Sequence, residues 1–500
     1  MSIMRVKSVE QSIHDAEAPE FRLRRVLRAI DLLGIGIGAI IGTGIFVLTG
    51  VAAATDAGPG ISISFVISGI ACGLAALCYA EFASVVPVAG SAYTFSYASL
   101  GEFFAWVIGW DLMLEFVIGA STVSVGWSQY FVEALDAMGL GLPAALSAAP
   151  GAGGVMNLPA AIIALLLTVV LVVGIRLSAA VTNVVVAIKL AVVLFFIIFG
   201  AFFIKAANWD PFIPPHQPPD PTEGGSALEE PLINAIFGST GSYGVSGLVA
   251  GAALVFFAYI GFDIVASGAE ETRRPQRDMP IGILGSLAIC SILYVLVSLV
   301  MTGIVKYDQL DTAAPMATAF QAIGAPWAVG LVSLGAIAGL TTVILILMLG
   351  QARVGFAMAR DGLLPVYFAK VHSKYRTPYR ITVITGIVVA AIASLTPIDV
   401  LAEMTNIGTL FAFLLVSVGV LVLRRTRPDL PRAFRVPLVP VIPVLAALAC
   451  LYLMLNLEGW TWLRFGIWMV LGLVLYFVYS KHRSRLGRGE TIEEAAEETD

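Results

Sequence analysis

The chain has 500 residues, 58% hydrophobic and 13% charged, with a net charge of −5 and a mean hydropathy of +0.91. Soluble domains carry about 25% charged residues, so a water-soluble globular class is excluded. The four cysteines (Cys72, Cys78, Cys290, Cys450) all lie in apolar stretches and read as small core residues, not a disulfide framework or metal site.

A polar, charged arm (1–29) opens the chain and lacks the short apolar core of a cleaved signal. A membrane-crossing helix takes about 20 apolar residues. The sequence offers twelve such spans, roughly 30–56, 61–86, 101–131, 157–175, 179–205, 246–270, 281–304, 323–352, 381–396, 401–423, 438–457 and 460–480. The expected fold is an all-α polytopic membrane protein with twelve transmembrane helices in one domain, 30–480. A disordered acidic tail is expected at 481–500.

Span 1 reads GIGIGAIIGTGIF, with Gly34, Gly36, Gly38, Gly42 and Gly44 in close succession. Each glycine weakens a helix by about 1 kcal/mol against alanine, so this run predicts a break. Lipid tolerates broken backbone only against protein or a wet cavity. Gly34 and Gly38 suit close helix packing instead. Spans 3, 5 and 6 carry Glu115, Lys189 and Asp263 deep in apolar sequence. A charge at the bilayer centre costs at least about 2.5–3.5 kcal/mol, so these groups should face a cavity or pair.

Residues 207–245 are rich in Pro, Gly and acid, including Asp210, Asp220, Glu223, Glu229 and Glu230, and suit an extramembrane cap. Span 6 follows with FFAYIGFD, in which Gly261 again predicts a break. Breaks in spans 1 and 6 are what a five-plus-five inverted repeat would produce, here about 30–205 and 246–423, with spans 11–12 appended. The segment RRTRPDLPRAFRVP is too charged to cross and separates spans 10 and 11. Of the 29 Lys and Arg residues, 25 fall on the face that carries both termini, which predicts that both ends are cytoplasmic.

GAIIGTGIF, FFAYIGFD, YAEFASVVPVAGSAY and ARDGLLP…HSKYRTP together resemble the amino acid–polyamine–organocation transporters. PRAFRVPLVPVIP and EMTNIGTLFAF favour the bacterial cationic amino acid transporter-like branch. The resemblance implies the leucine-transporter-like fold with broken helices 1 and 6, and transport of L-amino acids, cationic or small neutral, across a cell membrane.

At such breaks the N-terminus of a half-helix suits a carboxylate, which assigns Gly42, Thr43 and Gly44. Free carbonyls of Ile40, Ile41, Phe257, Ala258 and Ile260 suit the ammonium, and the resemblance implies that Phe257 also covers the substrate as an outer gate. Related folds hold sodium between spans 1 and 8. Lys189 reaching there from span 5 would replace it with a titratable ammonium, making H+ the coupling ion. Glu115 and Asp263 are candidates for proton coupling or side-chain recognition. Asn406, Thr409, Thr341 and Thr342 are candidate pocket residues, and Glu81, Arg353 and Arg360 a candidate inner gate. No cofactor, metal or nucleic-acid partner is expected. His14, His216, His372 and His482 lie outside the spans and no HExxH occurs, so a membrane-embedded enzyme is disfavoured. Paired breaks favour a secondary transporter, a symporter or alternatively an exchanger, over a passive channel. The sequence does not determine whether a small accessory membrane helix joins it.

Overall fold

The computed structural model describes residues 5–6, 27–86, 91–174, 179–217, 226, 228–234, 238, 242–266, 269–375 and 377–488. Most of the N-terminal arm, Asp220 and Glu223 of the cap, and the tail beyond Arg488 lie outside them. Among the described residues eight helices are long and apolar enough to cross a membrane. One of these, Gly44–Val85, contains both the second half of span 1 and span 2; four shorter apolar helices complete the twelve predicted spans.

Span 1 consists of Ala29–Ile40 (1a) and residues 44–57 (1b); span 2 is Ile61–Val85 and span 3 Glu102–Ala137. Span 4 is Leu158–Val173, span 5 Ala179–Ala201, and span 6 Gly244–Val255 (6a) with Phe262–Ala266 (6b). Spans 7 to 12 are Pro275–Ile304, Pro326–Arg360, Tyr379–Leu395, Ile398–Thr426, Val441–Leu455 and Gly459–Leu475. Local chemistry sets several of these boundaries. The Asn157 side chain accepts from the Ala160 N–H and Pro159 occupies the first turn of span 4, while Gly174 ends it at φ +73°.

The packing carries the repeat. Span 2 packs on 7, 3 on 8, and 4 on 9. Span 1a packs on 7 and 6a on 2; span 3 packs on 10 and 8 on 5. Exchanging each span n with n+5 maps these pairings onto one another. Since five is odd, equivalent spans run in opposite directions, which is an inverted repeat.

Among the described residues, the partners found for Glu81 at the end of span 2 come from the segment after span 10 and not from the predicted Arg353. Arg424 donates to both of its carboxylate oxygens (2.9 and 2.6 Å), and the Val436 N–H donates at 2.7 Å. Arg432 lies 3.3 Å away, whereas Arg353 is exposed. The reason is reach: the loop after span 10 folds back under span 2, making the basic cluster after span 10 the neighbour of Glu81. The tail prediction is also corrected at its start. Lys481–Arg483 and Arg485–Arg488 are helical and docked, with Ser480 Oγ donating to the Leu363 carbonyl at 2.7 Å and Ser484 Oγ to Glu102 at 2.5 Å. On the opposite face, the cap after span 5 seats Pro214 against Gly58, and Tyr243 Oη donates to the Ala54 carbonyl at 2.5 Å.

Gly261 sits at φ +123°, and an added Cβ would lie 2.9 Å from the Ala39 carbonyl carbon. Gly261→Ala is therefore expected to destabilise the fold by about 1–3 kcal/mol, read as a lowered melting temperature of the detergent-solubilised protein. An unchanged melting temperature would contradict this packing.

Candidate functional site

Span 1 breaks after Ile40. Ile41 adopts φ −70°, ψ 97°, and the chain re-enters helix with π geometry at Gly44–Leu48. Span 6 breaks five spans later. After 6a a 3-10 turn covers Phe256–Tyr259, Ile260 is extended, and Gly261 turns the chain into 6b. The two breaks meet. An added Cβ at Gly44 would collide with Ala258, and one at Gly261 would press on Ala39. Both glycines are thus required for close approach.

Two buried side chains hold the broken ends. Tyr294 Oη from span 7 lies 2.8 Å from the Ile40 carbonyl and 2.8 Å from the Ala258 carbonyl, bridging the breaks. Lys189 is fully buried. Its Nζ donates to the Gly38 carbonyl at 2.6 Å and the Ile41 carbonyl at 3.2 Å. Its stem runs along Gly339 of span 8, where an added Cβ would lie 2.9 Å from Cε. Lys189 therefore lies between spans 1 and 8, the position that the family resemblance implies, and it donates there to backbone carbonyls.

The N-terminus of 1b presents N–H groups without intrahelical partners and the positive end of a helix dipole. Thr43 is fully buried, and its Oγ1 has no hydrogen-bond partner. Gly42 is the open glycine, since an added Cβ would meet nothing nearer than Val343 at 3.7 Å. A small anion such as a carboxylate fits these three features. On the ammonium side, several predicted carbonyls already accept bonds: Ile40 and Ala258 from Tyr294, Ile41 from Lys189, and Phe257 from the Ile260 N–H (3.2 Å). Each carbonyl keeps a second lone pair. Among the described residues, Phe256, Tyr259 and Phe262 contact other rings, whereas Phe257 does not.

The remaining candidates divide. Asn406 Nδ2 donates to the Ala253 and Leu254 carbonyls at 2.8 and 3.1 Å, so it ties down the end of 6a. Thr341 Oγ1 accepts from Trp127 Nε1 at 2.9 Å. The Thr342 hydroxyl donates to the Gly339 carbonyl at 2.7 Å and that of Thr409 to the Thr405 carbonyl at 3.0 Å; both are helix back-bonds. Glu115 and Asp263 are buried beside each other and Asp111, on the span 3, 6b and 10 side of the break. Of the packing glycines, Gly38 abuts Val186 of span 5 at 2.7 Å from an added Cβ, whereas Gly34 has only an ordinary 3.5 Å neighbour. Gly36 is the tighter contact, against Ser286.

A cavity of about 860 Å³ opens on the face opposite the termini. Val51, Val125 and Leu254 place its floor beside the breaks, Asp56, Glu133, Asp136, Asp399 and Glu403 line it, and among the described residues no Lys or Arg does.

Tyr294 and Asp111 are absent from the sequence-based candidates. Tyr294 carries no motif, only a phenol in the middle of an apolar span. Asp111 had a usable signal: an acid one helical turn before Glu115 in a membrane span. Tyr294→Phe is expected to remove the one O–H that the Ile40 and Ala258 carbonyls share, at about 1–3 kcal/mol, lowering the melting temperature. A melting temperature equal to wild type would contradict the bridging role.

The profile of the amino acid permease family matches residues 27–479. The chain is 50% identical over 492 residues to the branched-chain amino acid permease BcaP of Bacillus subtilis, covering 97% of this chain and 99% of that protein. It is 46% identical over 489 residues to the methylthioribose transporter of the same organism, covering 97% and 100%. It is 40% identical over 430 residues to the vacuolar cationic amino acid transporter 2 of Arabidopsis thaliana, covering 86% and 64%. With paired helix breaks, twelve spans and this coverage, the chain belongs to the amino acid permease family and is a multi-pass membrane transporter, not an enzyme.

Proposed function

We propose that this permease takes up L-amino acids by proton-coupled alternating access, with both termini in the cytoplasm of a cell bounded by the membrane it spans. The observation that carries the reading is the pair of abutting breaks, with Lys189 fixed on the Gly38 and Ile41 carbonyls. The substrate carboxylate is received by the Gly42, Thr43 and Gly44 end of 1b, where Thr43 offers a free buried hydroxyl. The ammonium is received by remaining lone pairs around Ile40, Ile41, Ala258 and Ile260. Phe257, free of ring contacts, closes over the bound molecule.

The distribution of Lys and Arg supports the orientation. In that orientation the 860 Å³ cavity is an external vestibule, and the described conformation is outward-facing. Its carboxylates favour the approach of molecules bearing an ammonium group, which supports cationic as well as small neutral amino acids. The protonated form of Lys189 neutralises the exposed carbonyl ends of 1a. When 1a swings aside to open the cytoplasmic route, those acceptors leave and the proton is released. Coupling thus needs a titratable group that touches the moving half-helix, and Lys189 is placed to be one.

Purified protein in liposomes tests this. Wild type is expected to concentrate labelled alanine when a proton gradient is imposed, and Lys189→Met to lose accumulation by about tenfold or more, one pKa unit of coupling being worth a factor of ten. Full accumulation by Lys189→Met would remove Lys189 from the coupling role. Accumulation only with amino acid preloaded inside would instead identify an exchanger. Gly42→Ala is expected to fold normally and weaken uptake, while Gly44→Val is expected to lower the melting temperature as well; equal melting temperatures would contradict the distinction. Competition of alanine uptake by arginine and by leucine reads the side-chain class. The expected result is inhibition by arginine, and inhibition by leucine alone would contradict it.

A further inference from the structure

Asp111, Glu115 and Asp263 are each at most 1% exposed, in a part of the membrane domain that the Lys189 mechanism does not use. Asp111 and Glu115 are four residues apart on span 3 and so share a face. Neither oxygen of Asp111 has a hydrogen-bond partner, and the one hydroxyl beside Glu115, that of Thr409, already donates to the Thr405 carbonyl. Asp263 lies in the first turn of 6b and takes hydrogen bonds from backbone N–H groups there, which fixes it to the break. Asp111 and Glu115 both border Gly408, 3.1 and 3.7 Å from an added Cβ, and Glu115 is within electrostatic reach of both other acids.

Among the described residues, the elements around Asp111 and Glu115 bring no Lys or Arg to them. Span 2 contributes Tyr79, fully buried, with an unpartnered hydroxyl, and behind it Cys450 of span 11. Span 10 contributes Thr409 beside Glu115 and Gly408, whose missing side chain leaves room for Asp111, 3.1 Å from an added Cβ. An ionised carboxylate buried without a partner is costly, and neighbouring carboxyl groups share protons rather than ionise together.

We propose that Asp111, Glu115 and Asp263 form a second proton-binding site, on the opposite side of the substrate break from Lys189. The site holds at least one proton in the outward-facing form. Release breaks one carboxyl O–H bond and passes the proton to water that enters when spans 3, 6b and 10 separate. Asp263 links the site to the substrate, because 6b begins at the break. That link rests on the breaks being the substrate site; the proton site itself does not.

Infrared spectroscopy of the full chain in liposomes, with the proton as the ligand, tests it. At about pH 7 exposed carboxyl groups are ionised, and the carbonyl stretch of a protonated carboxylic acid reports the buried ones. The expected wild-type minus Asp111→Asn and wild-type minus Glu115→Gln spectra each show a lost protonated-acid band, with Asp111→Glu restoring it. Acids elsewhere contribute equally and cancel. Exchange of labelled for unlabelled alanine without a gradient confirms that the variants are folded. No lost band in either folded variant would overturn the proposal. Should both variants fail to fold, a titration of Glu403→Gln, which removes a largely buried acid of span 10 outside the site, decides between about pH 5 and 9: no acid band that persists above the range of exposed carboxyl groups overturns the site, and a persisting band supports it. Retained accumulation by Lys189→Met would leave this result untouched, so the two readings fail separately.

Discussion

An interrupted helix inside a membrane must find partners for the carbonyls it frees, and the rest of this structure is arranged around that requirement. Spans 1 and 6 are both broken, and two side chains reach the exposed ends. Tyr294 spans the gap between the Ile40 and Ala258 carbonyls, and Lys189 takes those of Gly38 and Ile41. Without such donors each orphaned carbonyl would cost a few kcal/mol in hydrocarbon. The same donors fix the distance between the breaks, and so the shape of what can enter.

Small residues complete the arrangement. Gly44 and Gly261 let the broken segments touch Ala258 and Ala39. Gly339 gives the Lys189 stem a groove along span 8. Gly42, in contrast, would meet only ordinary contacts at 3.7 Å and beyond, and the fully buried Thr43 hydroxyl beside it lacks a partner. The contrast separates glycines that close packing requires from one, Gly42, where a methyl group would be accommodated.

Much of this was legible in sequence because it depends on local rules. Apolar runs gave the spans, GIGIGAIIGTGIF and FFAYIGFD gave the breaks, and a lone lysine in span 5 flagged its own cost. Long-range partners were not legible. Glu81 pairs with Arg424 because the loop after span 10 folds under span 2, and no helical spacing encodes that. Tyr294 looks like any membrane tyrosine until span 7 is seen to pass both breaks. Residues 481–488 lie in a charged stretch that composition reads as solvated, yet Ser480 and Ser484 dock it onto Leu363 and Glu102.

The account joins substrate and proton at one moving half-helix, so their fluxes should be locked together. Recording labelled alanine entry and internal pH at once, in liposomes that hold a trapped pH dye, tests this most directly. The account predicts that alanine brings protons in with wild type, and that Lys189→Met exchanges alanine without moving them. Proton entry unchanged in Lys189→Met, or alanine concentrated by wild type with no proton movement, would contradict it.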